Sequence, residues 1–191
     1  MTKFDNDINC CLETLQKGGL ILYPTDTIWG IGCDATNPTA VAEIYRLKKR
    51  ADEKSMVILL AEEIDILKYV DQTDARIFDY IKGVNKPTTV IYEGGTGLAP
   101  NLIQKRDGTV AIRVTEERFC KQLINQFGGP IVSTSANISG YPPPVVFSDI
   151  DIAIIKGVDY VVEYRQDDDI PALPSSIIKW NADGSLTIIR S

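Results

Sequence analysis

Three short segments carry the residues most able to do chemistry. The first is Tyr23-Pro24-Thr25-Asp26-Thr27-Ile28-Trp29-Gly30-Ile31-Gly32, where hydroxyls and one carboxylate follow directly on an apolar run. Gly30 and Gly32 have no side chain, so a ligand can approach the backbone closely there. The same residues also read as a turn between two strands, with Thr and Asp satisfying backbone groups. The second segment is Leu47-Lys48-Lys49-Arg50-Ala51-Asp52-Glu53-Lys54-Ser55-Met56, with four cations inside seven residues. It suits a polyphosphate clamp, in which lysine gives point charge and arginine a planar fork. It equally suits a solvated helix C-terminus, whose dipole favours cations. The third is Ser133-Thr134-Ser135-Ala136-Asn137-Ile138-Ser139-Gly140, four hydroxyls and an amide behind the apolar pair Ile131-Val132. Ligand contacts of α/β proteins gather at such strand ends, and a capped turn ahead of Pro142-Pro143-Pro144 is the plain alternative. Arg113 is a further candidate, because it sits inside the apolar run Val110-Ala111-Ile112-Arg113-Val114. A buried arginine needs an anionic partner, either a ligand or an internal Asp or Glu.

Composition limits what these segments can do. The chain has no histidine, which excludes Ser-His-Asp and Cys-His triads and any histidine-ligated metal. Cys10, Cys11, Cys33 and Cys120 form no CxxC pair, and adjacent Cys10 and Cys11 suit neither an ordinary disulfide nor a zinc knuckle. They read as reduced thiols of a cytoplasmic protein, with no signal peptide expected. The net charge of −6 argues against a broad non-specific nucleic-acid surface while leaving room for a local basic patch. No apolar run reaches the ~20 residues of a membrane span. Neither glycine-rich segment is a phosphate-loop signature: Ala35 occupies the third glycine position of GxGxxG, and Glu93-Gly94-Gly95-Thr96-Gly97 lacks a GKS or GKT ending.

The elements that must position these residues follow from periodicity. Residues 5–17 are predicted as an amphipathic helix closed by Gly18-Gly19, with Ile8, Cys11, Leu12 and Leu15 on one face. Leu20 to Tyr23 and Met56 to Leu60 read as buried strands, and Ile28 to Cys33 as an extended segment. Residues 39–48 read as a helix, as does the stretch marked by Ile77, Phe78 and Ile81. Thr88 to Tyr92 and Val110 to Val114 read as strands, and Phe119 to Phe127 as a helix ended by Gly128-Gly129. A strand starting at Ile131 runs into the hydroxyl cluster, and Ser176 to Trp180 and Leu186 to Ile189 form a hairpin around Asn181-Ala182-Asp183-Gly184. Interleaved strands and helices give an α/β or α+β class around a mixed sheet, and the length fits one domain over residues 1–191.

Taken together, in order and at these spacings, the segments resemble the YrdC family. The resemblance rests on Pro24-Thr25-Asp26-Thr27-Ile28-Trp29-Gly30-Ile31-Gly32, Lys48-Lys49-Arg50, the strand from Gly108 to Val114 with Arg113, Ser135-Ala136-Asn137, Pro174-Ser175-Ser176-Ile177-Ile178, and Arg190. It covers nearly the whole chain and is to the short, single-domain form. It implies a YrdC/RibB-like twisted mixed sheet flanked by helices, with a concave active-site surface. The implied reaction joins L-threonine, bicarbonate and ATP into threonylcarbamoyl-AMP and pyrophosphate, for transfer by partner proteins to an adenosine beside the tRNA anticodon. Carried over by position, Thr27, Arg113, Ser135 and Ser175 fall at threonine; Arg50, Lys54, Thr109, Asn137 and Arg190 fall at ATP. Lys48 and Arg50 are the implied catalytic pair, offsetting triphosphate charge with Lys54 and with Mg²⁺ accompanying the nucleotide rather than a protein metal site. Asp26 is a candidate general base.

Several positions depart from the pattern. Ala51 stands where the family often has proline, Leu59 where longer members have a threonine-contacting histidine, and Val145 where a threonine lies near the nucleotide. Asn85-Lys86-Pro87-Thr88-Thr89 replaces a Pro-Gly-Pro segment. Two other readings stay open: a paralogue acting on another carbamoyl substrate, and an RNA-binding or ribosome-maturation protein with weak tRNA contact.

Overall fold

The fold is that of a computed structural model describing residues 3–50, 56–71, 74, 76–181 and 183–191. It begins with helix α1 (Asp5–Gln16), which buries Ile8, Cys11 and Leu15, the stripe expected from helical spacing. Strands β1 (Ile21–Tyr23) and β2 (Gly30–Gly32) follow, then helix α2 (Pro38–Leu47). The start of α2 is fixed by Asn37, whose side chain accepts from the Thr39 and Ala40 N–H groups, with Pro38 in the first turn where no amide hydrogen is needed. Strand β3 (Val57–Leu60), a 3-10 turn over Glu63–Lys68 and helix α3 (Arg76–Gly83) come next. Strands β4 (Thr88–Tyr92) and β5 (Val110–Val114) lead into helix α4 (Arg118–Phe127). Glu117 caps α4 by accepting from the Cys120 N–H, and Gly128 ends it in the left-handed conformation at φ 77°. Strand β6 (Ile131–Ser135), a 3-10 turn at Phe147–Asp149, helix α5 (Ile152–Gly157) and strands β7 (Tyr160–Val161), β8 (Ser176–Trp180) and β9 (Leu186–Arg190) complete the order.

Among the described residues, nine strands form one mixed sheet in the order β7-β1-β2-β6-β3-β5-β4-β8-β9. β3 lies between β6, antiparallel, and β5, parallel; β4 lies between β5, antiparallel, and β8, parallel. This order brings segments far apart in sequence side by side: Gly30 pairs with Ser135, and Leu59 with Arg113.

Alternation along the strands gives the sheet two kinds of face. Ile58, Val90, Tyr92, Val110, Ile112, Val132 and Ile178 enter the hydrophobic core. The other parity, including Val57, Thr89, Ala111, Arg113, Ser133, Ser135 and Ile177, lines a cavity. β7 has only two residues, paired in parallel with β1, and α1 adds to its hold. The buried Asp7 carboxylate of α1 accepts from the Tyr160 hydroxyl at 2.6 Å and from the Glu163 and Tyr164 N–H groups at 2.9 and 3.0 Å. Among the described residues, no helix is long and apolar enough to cross a membrane.

Candidate functional site

The cavity on the polar parity of the sheet has a volume of about 360 Å³. Its walls come from all three segments singled out by chemistry. Thr27, Ile28, Trp29 and Gly30 arrive from the β1–β2 connection, Arg50 from the end of α2, and Ser133 to Ser135 from β6. Arg113 enters from β5, Thr89 from β4, and Pro174, Ser175, Ile177 and Arg190 from the C-terminal hairpin region. Its charged lining residues, among those described, are Arg50, Arg113 and Arg190; none is a carboxylate. On a chain of net charge −6, this gathers positive charge where an anion would sit.

Each of these side chains is held by its element. The Thr25 hydroxyl donates to the Ile28 carbonyl at 2.9 Å and accepts from the Thr27 N–H at 3.0 Å, which fixes the turn. The Thr25 and Thr27 hydroxyls lie 2.9 Å apart. Trp29 is seated by Phe147, ring centroids 4.8 Å apart. The Ser175 hydroxyl pairs with that of Thr89 at 2.8 Å. Arg190 clamps the Ser175 carbonyl with Nε and Nη2 at 3.0 and 2.7 Å, tying β9 to the segment before β8. Burial, then the nearby Arg113 charge, lowers the Arg190 guanidinium pKa. Burial lowers that of Arg50 as well.

Arg113 is buried, and of its two alternative partners the internal carboxylate is present. Its Nη2 lies 3.3 Å from Asp26 Oδ1, an internal ion pair, while its buried Nε has no hydrogen-bond partner among the described residues. Asp26, the candidate base, does not line this cavity. It lines a second one of about 430 Å³ with Glu63, Lys82, Asn85, Lys86 and Glu116. The Arg113–Asp26 pair therefore stands between the two cavities, with the arginine facing one and the carboxylate the other.

Of the positions expected at threonine, Thr27, Arg113, Ser135 and Ser175 all meet on the first cavity, joined by Arg50 and Arg190 from those expected at ATP. Three others lie apart from its lining. Thr109 is two residues before Ala111, with its hydroxyl bonded to Asp107 at 2.7 Å. Asn137 follows β6 and donates its amide to the Ile138 and Tyr141 carbonyls at 3.1 and 2.6 Å. Lys48, expected at the phosphates, is 1% exposed and donates instead to the Ser135 and Asn137 carbonyls. Burial and the Arg50 charge push its ammonium down to about 7. Lys54 and Ala51 lie outside the described residues. Sequence reasoning missed Thr89, whose facing is set by strand parity, and the pairing of Asp26 with Arg113. Leu59 is fully buried beside Arg113.

Gly30 and Gly32 divide the role that the sequence gives both. Gly30 lines the cavity, and a Cβ there would meet Ser133 Oγ at 3.2 Å. Gly32 serves packing instead: a Cβ would lie 2.7 Å from both the Tyr23 ring and the Val132 carbonyl. All four cysteines are free, and burial raises the thiols of Cys11, Cys33 and Cys120, which disfavours their reactive thiolate forms.

Known proteins resemble this chain in sequence and in fold. A threonylcarbamoyl-AMP synthase of Coxiella burnetii (strain RSA 331 / Henzerling II) is 35% identical over 147 residues, covering 75% of this chain and 77% of that protein. In three dimensions the chain is similar to E. coli YciO, with a TM-score of 0.84 at 23% identity over 97% of this chain and 89% of that one. It is also similar to P. abyssi Sua5 complexed with L-threonine, with a TM-score of 0.82 at 22% identity. There the match covers 96% of this chain and 53% of Sua5, so the chain spans about half the length of that relative. The family sequence model described as "Telomere recombination" (Sua5_yciO_yrdC) matches residues 13–191, taking in every wall of the cavity, and the chain belongs to this Sua5/YciO/YrdC family.

Proposed function

We propose that the chain is a threonylcarbamoyl-AMP synthase, a nucleotidyltransferase that forms threonylcarbamoyl-AMP and pyrophosphate from L-threonine, bicarbonate and ATP. The observation that carries this reading is the convergence of Arg50, Arg113 and Arg190 with the hydroxyls of Thr27, Ser135 and Ser175 on one cavity whose described lining holds no carboxylate. It is supported by curated relatives named for that activity. The arginines are gathered in a cavity of small-molecule size rather than spread over a face, which suits a compact anionic ligand better than a nucleic-acid strand.

In this account Arg113 receives the threonine carboxylate. Its unpartnered buried Nε is a donor that a carboxylate oxygen would satisfy. Thr27, Ser135 and Ser175 orient the rest of the amino acid, with Thr89 fixing the Ser175 hydroxyl. The free amine of threonine combines with bicarbonate to give a carbamate and water. A carbamate oxygen then attacks the ATP α-phosphorus, the bond to the β-phosphate bridge breaks, and pyrophosphate leaves. Arg50 and Arg190 stabilise the developing phosphoryl charge, and Lys54, Thr109 and Asn137 complete the nucleotide end. Most of the demand is positioning and charge stabilisation, which needs no histidine. Among the described residues the cavity lining offers Mg²⁺ no carboxylate, and the ion would enter on the triphosphate. The adenylate would pass to tRNA threonylcarbamoyl-transfer proteins in the cytoplasm.

Incubation of the purified protein with threonine, bicarbonate and Mg-ATP, followed by mass spectrometry of the quenched mixture, tests the reading. A new species with the mass of threonylcarbamoyl-AMP is expected. Its absence while AMP accumulates would overturn the proposal.

A further inference from the structure

Lys48 is the one lysine buried among the described residues, at 1% exposure. An ammonium has three N–H donors and no acceptor. Those of Lys48 face three oxygens of one short turn: the Ser135 carbonyl, the Asn137 carbonyl at 2.7 Å and Asn137 Oδ1 at 3.5 Å. Among the described residues, no carboxylate lies within ion-pair distance of it. The attachment also runs the other way, because the Lys48 carbonyl accepts from the Ser139 N–H at 2.8 Å. The last turn of α2 and the turn after β6 are thereby fastened at both the backbone and the side chain of a single residue. A phosphate could take this ammonium only by stripping it from half-buried carbonyls, of which that of Ser135 would keep the neutral Asn137 N–H at 2.9 Å.

What the fastening joins gives it a consequence. Arg50, two residues beyond Lys48, and Ser135, whose carbonyl Lys48 holds, both line the cavity, at its cationic and hydroxyl sides. We propose that Lys48 is a positioning residue that touches neither substrate and sets the Ser135–Asn137 turn against the Arg50 end of α2, so that it governs the binding of threonine and ATP together. This inference rests on the synthase reading and replaces one part of it, the direct contact of Lys48 with phosphate. Arginine is a poor substitute, because its longer planar fork does not fit a three-oxygen cage built for a compact ammonium.

The test is calorimetric titration of the full chain, at a pH below the folded Lys48 value of about 7 so that the ammonium is charged, with threonine and, separately, with Mg-ATP, in the wild type and in Lys48→Met, which keeps the length and removes the donors. The dissociation constants for both ligands should rise in parallel, by roughly tenfold or more, the scale of losing charge-assisted hydrogen bonds. Amide hydrogen exchange at Ser139 should quicken while the β3, β5 and β6 amides stay protected. Weakened ATP binding with unchanged threonine binding would make Lys48 a phosphate ligand and overturn the proposal. A lowered melting temperature with both affinities unchanged would overturn it too, by reducing Lys48 to a packing role. If Lys48→Met does not fold, Lys48→Gln, which keeps an N–H donor, gives the same comparison; failure of both to fold would show a determinant of the fold rather than of the site and would also overturn it. Wild-type protein that binds neither ligand would refute the synthase reading itself, and this inference with it.

Discussion

Arg113 is the residue on which the account turns, because it answers to two anions. Asp26 holds it from one side at 3.3 Å, and its Nε is left for a second partner. Removing the guanidinium therefore has two effects, loss of a ligand contact and an uncompensated, half-buried carboxylate. Arg113→Lys separates them: the charge against Asp26 remains, and the fork that fits a carboxylate goes. We expect Arg113→Lys to fold and to lose roughly 2–5 kcal/mol of threonine binding with little change for ATP. Arg50→Ala should show the reverse pattern in the same titrations. Equal losses for both ligands in both variants would contradict the division of roles. The cysteines offer a control at this scale, since buried thiols with raised pKa values make poor nucleophiles. Replacing all four by Ala or Ser should lower the melting temperature and leave turnover per folded molecule unchanged; a folded variant without turnover would contradict this. An arginine in an apolar strand is visible in the sequence as a group in need of an anion. That its internal partner is Asp26 was not legible, because nothing local links β5 to the β1–β2 connection. The cationic run around Lys48 was legible as a cluster, but which cation is buried depends on a turn that lies far along the chain.

At the scale of elements, the strands that build the cavity were readable because each is a short apolar run bounded by turn residues, and the helices because their stripes recur at helical spacing. The two-residue β7, the short α5 and the 3-10 turns were not readable, since none is long enough to show a period. β7 is placed by its pairing with β1 and by the Asp7 carboxylate, both contacts between distant segments. Sheet order is likewise non-local, and with it which parity of each strand faces the cavity. Gly32 shows the limit well. Its neighbour Gly30 does lie on the cavity, but Gly32 is needed because the Tyr23 ring and the β6 backbone occupy the space of a side chain. Gly32→Ala should cost about 2 kcal/mol of stability by forcing β2 away from its neighbours. Gly30→Ala is tight only against the Ser133 hydroxyl, at 3.2 Å, and should cost less. Denaturant unfolding of the two variants checks the order, and a more damaging Gly30→Ala would contradict it.

For the whole molecule, the buried Lys48 couples stability to pH. In the folded chain its pKa falls to about 7, against an ordinary value of 10.5. Below about 7 the lysine is charged whether folded or unfolded. Between these limits the unfolded chain binds more protons than the folded one, so stability rises with pH across that window. Unfolding free energies of wild type and Lys48→Met, measured across it, should diverge in favour of the wild type as pH increases; a constant difference would contradict the assignment. The same molecule is acidic overall and cationic at one cavity, a distribution that favours a small anionic substrate over a long polyanion. The central claim is that this cavity joins threonine, as its carbamate, to the α-phosphate of ATP. Pyrophosphate release, followed with threonine and bicarbonate omitted in turn, tests it most directly. The account predicts release only when threonine, bicarbonate and Mg-ATP are all present, and pyrophosphate release that continues unchanged without threonine would contradict it.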